Sequence, residues 1–327
     1  MTTPDLPLNP DRLDLTVRTE EDVLALPPLV LGFHPTHSVV MLTFGAVRSF
    51  HARVDLPATR QEAATVAGAL VEPARRHGVR QAALVLYGEA AQARPWRWEA
   101  VVAGLEGAGV EVVGVWWCTG GRVRRCVPGP PEPWRTLDLA DHPFVAAAVL
   151  SGRVTRRDRA ELAALLAPDP VRVAEVAAAL GRLPAAPGPE ERWNQIGLVA
   201  TAMRRWADEA RPPQATCGLD ADDRARLLTA LMVPVLRDEA LVHLRQGRPR
   251  RAIDALCDLV RSSPAQVRAG AAGLLAWAAW QSGDGALAWC AVDTALAARP
   301  GHRFSELMAQ VLVRAIPPEA WAEIEAA

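Results

Sequence analysis

The sequence predicts an α/β N-terminal domain with a small mixed sheet, followed by an all-α domain. Three observations predict it. Between Val39 and Val127, short apolar runs alternate with amphipathic ones in the order strand–strand–helix–strand–helix–strand–strand. A proline-rich stretch, Val127-Pro128-Gly129-Pro130-Pro131-Glu132-Pro133, then breaks the pattern as a stiff linker. From Asp141 onward the chain is alanine-rich with helical spacing. The boundaries follow as 1–135 for the α/β domain and 136–327 for the helical one.

Thr19-Glu20-Glu21-Asp22 precedes an apolar helical pattern at Val23, Leu24 and Leu26, so Thr19 is a candidate N-cap with carboxylates near the positive helix end. Pro27-Pro28 is expected to stop or kink this helix. Val39 to Phe44 is a nearly continuous apolar run, the mark of a strand buried on both faces. Gly45-Ala46-Val47 turns the chain into Phe50 to Leu56, which alternates and completes a hairpin. Thr59 to His77 is amphipathic and ends at Gly78. Ala82 to Tyr87 is the third strand, Trp96 to Gly109 the second helix of the crossover pair, and Val110 to Cys118 the fourth strand. Gly120-Gly121 is a turn signal, and Arg122 to Val127 returns as a fifth strand.

The helical region is divided by breaks at Leu183 to Pro189 and Arg211 to Gly218. Beyond them lies a weak internal repeat at about 238–316: Gly247, Ala252 and Pro264 recur as Gly283, Ala288 and Pro300. This spacing predicts tetratricopeptide-like helical hairpins, in which Gly permits a close turn and Ala lets helices touch. The second copy also carries Ala295 where the first has Leu259. Two copies are fewer than a free-standing solenoid needs.

Composition bounds the function. Net charge is -1, which gives no global electrostatic reason to bind nucleic acid or an anionic membrane. The longest apolar run, Ala269 to Trp280, is too short to span a bilayer. Met1-Thr2-Thr3-Pro4-Asp5 lacks the basic and apolar regions of a signal peptide. Five cysteines without a C-x-x-C pair predict reduced thiols and a cytoplasmic location. Every basic residue among the 36 Lys+Arg is arginine. Lysine Schiff bases, the Walker lysine and the kinase lysine are therefore excluded. No cofactor is expected.

Topology gathers the chemistry. If helical crossovers join strands two, three and four, those strands run parallel, and the antiparallel first strand begins at their C-terminal rim. That rim would collect His34, His37 and Ser38, then Asp55, then Tyr87, Gly88 and Glu89, then Cys118, Thr119, Arg122 and Arg124. Three chemistries compete there. His34 and His37 with Asp55 or Glu89 could ligate a metal, although a turn with H-x-x-H spacing serves equally to bond loop carbonyls. Ser38, a histidine and Asp55 could form a nucleophilic set, but the G-x-S-x-G turn is missing, and a serine there also caps turns. Arg122, Arg124 and Arg125 beside Gly120-Gly121 could hold an anion, or simply protect an exposed edge strand.

Elsewhere, Arg153, Arg156, Arg157 and Arg159 interleave with Asp158 and Glu161 as a salt-laced helix start. Trp277, Trp280 and Trp289 sit at helical spacings as core anchors, because no basic groove accompanies them. Cys118 and Cys126 read as small buried hydrophobes.

Val17-Arg18-Thr19-Glu20-Glu21-Asp22, then Leu31-Gly32-Phe33-His34-Pro35 and Ser38-Val39-Val40, resemble the actinobacterial domain of unknown function 4192 family. The resemblance continues through Ala52-Arg53-Val54-Asp55-Leu56-Pro57 and returns at Ala279-Trp280-Gln281-Ser282-Gly283-Asp284-Gly285-Ala286 and Ala288-Trp289-Cys290. It implies no activity. Members often carry an acidic residue where this chain has His37, which counts against a His34/His37 metal pair. They also often have a Ser-Tyr and Cys-rich segment after the fourth strand, which here shrinks to Arg122 to Pro128. The resulting expectation is a non-catalytic binding or adaptor protein with a protein partner on its helical domain. A small hydrolase or transferase acting around the LGFHP turn through Ser38, His34 and Asp55 is the other reading.

Overall fold

The computed structural model describes residues 15–45, 50–127, 132–150, 154–184, 188–208, 210 and 215–321. The N-terminal five residues, the turn at 46–47, the prolines at 128–131, Arg153 and parts of the breaks at 183–189 and 211–218 lie outside the described residues. The chain divides into two compact units, Met1–Arg159 and Ala160–Ala327.

The first unit opens with α1 (Glu20–Leu31). Thr19 caps it through a reciprocal pair. Its Oγ1 accepts from the Asp22 N–H at 3.1 Å, and the Asp22 carboxylate accepts from the Thr19 N–H at 2.8 Å. Pro27 and Pro28 do not stop this helix, which runs on to Leu31 and ends at Gly32 with φ 71°. The physical reason is burial. A proline inside a helix costs roughly 3 kcal/mol. Against that, Val23, Leu24, Leu26, Leu29 and Leu31 are all buried, at roughly 1.5–3 kcal/mol per side chain.

Five strands of the sheet match the apolar runs: β1 (Ser38–Phe44), β2 (His51–Asp55), β3 (Gln81–Tyr87), β4 (Glu111–Thr119) and β5 (Arg122–Val127). A sixth, β6 (Arg135–Thr136), joins at the edge after the proline run. The order is β2-β1-β3-β4-β5-β6. Only β3 and β4 pair in parallel; β1 is antiparallel to both β2 and β3, and β4, β5 and β6 form an antiparallel meander.

Helix α2 (Arg60–Arg76) is capped by Thr59, whose side chain accepts from the Glu62 N–H. The segment from Trp96 is not one helix. Pro95–Arg97 makes a 3-10 turn, and α3 spans only Glu99–Gly107. Helices α2 and α3 cover one sheet face, where Met41, Leu70, Leu84, Leu86, Val101, Leu105, Val115 and Trp117 form the core. On the other face, α1 packs on β1 and β3 and is itself packed by α4 (Pro143–Leu150). His142 Nε2 lies 3.2 Å from the Asp22 carboxylate, tying the starts of these two helices together. The first unit thus extends past the proline run: α4 and the backbone bridge from Phe33 to Arg156 belong to it.

The second unit is helical among its described residues: α5 (Arg159–Ala164, its first residue counted with the first unit), α6 (Pro170–Leu180), α7 (Pro189–Ala207), α8 (Ala221–Leu231), α9 (Pro234–Gln246), α10 (Ile253–Arg261), α11 (Ala265–Gln281), α12 (Gly285–Ala298) and α13 (Arg303–Val313). Gly247 follows α9, and a Cβ there would stand 2.6 Å from the Ala207 carbonyl oxygen. Gly283 follows α11 with φ 76°, a conformation that favours glycine. Ala252, Ala288, Leu259 and Ala295 are fully buried. Pro264 stands directly before α11, and Pro300 lies between α12 and α13. Trp277 and Trp280 are buried and Trp289 is half-buried. The Trp280 indole N–H donates to the Ile316 carbonyl at 2.9 Å.

Candidate functional site at the sheet rim

The strand register lines up one end of the sheet. Ser38 pairs with both Asp55 and Tyr87, Tyr87 pairs with Cys118, and Thr119, Arg122 and Thr136 continue the row. Because β3 and β4 are parallel, their C-terminal ends lie here together, beside the start of β1. A shallow hollow of about 310 Å³ opens on this rim. Its lining brings together His37, Tyr87, Glu89, Cys118, Thr119 and Arg122, which come from three separate parts of the sequence.

The remaining candidates are nearby but turned to other tasks. His34 is exposed and does not line the hollow; its N–H donates to the Arg156 carbonyl at 2.9 Å. Ser38 is fully buried. Its hydroxyl donates to the Thr36 carbonyl at 2.6 Å and accepts from Arg53 Nε at 2.8 Å. Asp55 is 2.7 Å from the Arg53 guanidinium. Arg124 donates to the Ala93 carbonyl at 3.2 Å, with its guanidinium 4.9 Å from the Trp134 ring centre. The nucleophilic set of Ser38, His34 and Asp55 is therefore not assembled. The serine and the aspartate are joined through Arg53, and among the described residues His34 makes no hydrogen bond to either.

Each lining group is held in a definite state. His37 has φ 45°, a left-handed conformation unusual for a side chain with a Cβ, and its carbonyl accepts from the Leu56 N–H at 2.8 Å. Burial, and then the neighbouring Cys118, push the Tyr87 phenol well above its ordinary value, so it stays a hydrogen-bond donor. Burial also pushes the Cys118 thiol up to about 12. The Arg122 guanidinium rests 5.7 Å from the Trp134 ring centre. Glu89 is exposed, and its backbone N–H donates to Gln92 Oε1 at 2.9 Å.

Sequence reasoning missed Leu137, which also lines the hollow. Leu137 is invisible because β6 has only two residues and shows no alternation. Gly88, expected at this rim, lines the hollow and is tightly packed. A Cβ there would lie 2.9 Å from both Leu56 and the Trp117 ring. Gly88→Ala is therefore expected to cost about 1–3 kcal/mol, read as a lowered urea midpoint. An unchanged midpoint would show that Leu56 and Trp117 yield freely.

The family described as Domain of unknown function (DUF4192) matches residues 21–319. The chain belongs to this family. In this DUF4192 chain the matched span takes in the rim and nearly all of the described helices. No curated relative matches the chain. No solved structure matches it either. Among the described residues, no group of three or more His, Cys, Asp or Glu side chains is placed to hold a metal ion. No helix among them is long and apolar enough to cross a membrane.

Proposed function

We propose that the protein acts by binding and not by covalent catalysis, as a cytoplasmic adaptor that holds a small ligand at the rim and a protein partner on its helical repeat. The observation that carries this reading is the state of Ser38. Its proton goes to the Thr36 carbonyl, and its oxygen is held by Arg53. A nucleophilic serine needs a base to take that proton. The other nucleophile at the rim, Cys118, is buried and held as a thiol, whereas the thiolate is the reactive form. The paired placement of Gly247 and Gly283, and of Ala252 and Ala288, favours a hairpin stack as the partner-binding element.

The test is labelling of the native protein with a fluorophosphonate and with iodoacetamide, read by peptide mass. The expected result is no adduct at Ser38 and none at Cys118 near pH 8. An adduct at Ser38, or ester turnover that disappears in Ser38→Ala, would establish the hydrolase reading instead.

A further inference from the structure

We infer, on the reading that the rim binds rather than reacts, that the hollow takes a small zwitterion of the α-amino acid kind with an apolar side chain. Two charges face this rim. Arg122 and Glu89 both line the hollow, both are exposed, and neither is ion-paired among the described residues. By comparison, Arg53 is neutralised by Asp55, and Arg135 by Glu20 and Glu21. Glu89 follows β3 and Arg122 opens β5, with β4 between them. Two strand spacings separate their backbones by roughly 10 Å, and both side chains are long enough to reach inward. That leaves a gap for a head group carrying a carboxylate and an ammonium side by side.

A plain anion would meet the Glu89 carboxylate, and a plain cation would meet Arg122. A zwitterion satisfies both, which is discrimination by charge placement. Arg122 is suited to a carboxylate by its planar fork, and the Trp134 ring 5.7 Å away limits its freedom. Cys118 and Leu137 also line the hollow, as an apolar bed for a hydrocarbon side chain, and Tyr87 and His37 line it too. About 310 Å³ is at the small end of ligand sites, so it suits an amino acid better than a nucleotide. The left-handed backbone of His37 is consistent with such a role, since strained residues collect at ligand contacts.

The test is titration calorimetry of the full chain with L-leucine, L-leucinamide and 4-methylpentanoate, then with the other standard L-amino acids. Leucinamide lacks the carboxylate and 4-methylpentanoate lacks the ammonium. The expected result is binding of at least one apolar amino acid, weakened tenfold or more when either charged group is removed from the ligand. Arg122→Ala and Glu89→Gln are each expected to weaken it by a similar factor, without loss of helical circular dichroism. If 4-methylpentanoate binds as tightly as leucine and Glu89→Gln changes nothing, the site is a simple anion site and the inference is overturned. Equal binding of leucinamide with no effect of Arg122→Ala overturns it in the opposite sense. No heat from any amino acid also overturns it. All three outcomes leave the labelling result at Ser38, and so the non-covalent reading, separately decided.

Discussion

Replacing Asp258 with alanine is expected to destabilise the helical unit by about 3–5 kcal/mol, the usual cost of leaving a buried charge without its partner. Asp258 is 5% exposed and Arg224 7%. The carboxylate accepts from Arg172 on α6, lies 3.1 Å from Arg224 on α8, and accepts from the Cys217 N–H at 2.9 Å. Arg224 in turn donates to the Leu219 carbonyl and to Ser262, both at 2.8 Å. One carboxylate on α10 therefore holds two helices and the segment leading into α8. Removing it strands a buried guanidinium, which makes the effect larger than that of an exposed ion pair.

The same carboxylate gives a pH dependence of definite sign. Burial raises its pKa, but the hydrogen bonds from Arg172 and Cys217 and the charge of Arg224 outweigh that, and the net shift is downward. A carboxylate depressed on folding contributes stability that is complete above its unfolded value, about 4, and is lost as pH falls through its folded value. The native chain is thus expected to lose stability on acidification below about pH 5, and Asp258→Ala to lose less over the same range. Urea unfolding at several pH values measures both. A loss under about 1 kcal/mol at neutral pH, in the range of an exposed ion pair, would mean that water screens this cluster.

Trp117→Ala is expected to cost a similar amount, about 3–5 kcal/mol, from a large cavity in the sheet core. Trp117 is fully buried, its ring centre is 6.1 Å from that of Trp98, and its indole N–H donates to the Gly88 carbonyl at 3.2 Å. This last bond couples core to rim, because Gly88 lies under the hollow. Trp117→Phe keeps most of the volume and loses the bond, so a smaller loss of about 1–2 kcal/mol is expected, near the worth of one hydrogen bond plus a modest void. Unfolding of the two variants side by side separates volume from hydrogen bonding. Equal losses would assign the whole effect to the N–H bond.

Much of this was legible from residue pattern. The apolar runs located five strands, and the crossover logic brought Ser38, Asp55, Tyr87, Cys118 and Arg122 to one rim, as the register shows. Thr19 announced its helix because capping is local chemistry. What failed was decided by tertiary packing. Pro27 and Pro28 stay helical because their neighbours are buried, a fact no local rule contains. Strand β6 escaped because two residues carry no period. The rim residues were found as a group, but their roles were not. His34 and His37 look alike in sequence, yet one bonds Arg156 through its backbone and the other lines the hollow. Ser38 looked available in the sequence, and its bonds to Thr36 and Arg53 are visible only in the fold.

The most direct test of the rim as a binding site is an amide NMR titration of the full chain with the best-binding amino acid. The expected shifts fall on His37, Gly88, Glu89, Gly120, Gly121 and Arg122, and saturate together along one binding curve. Shifts that leave these amides unmoved, or that centre on the helical unit, would contradict the account.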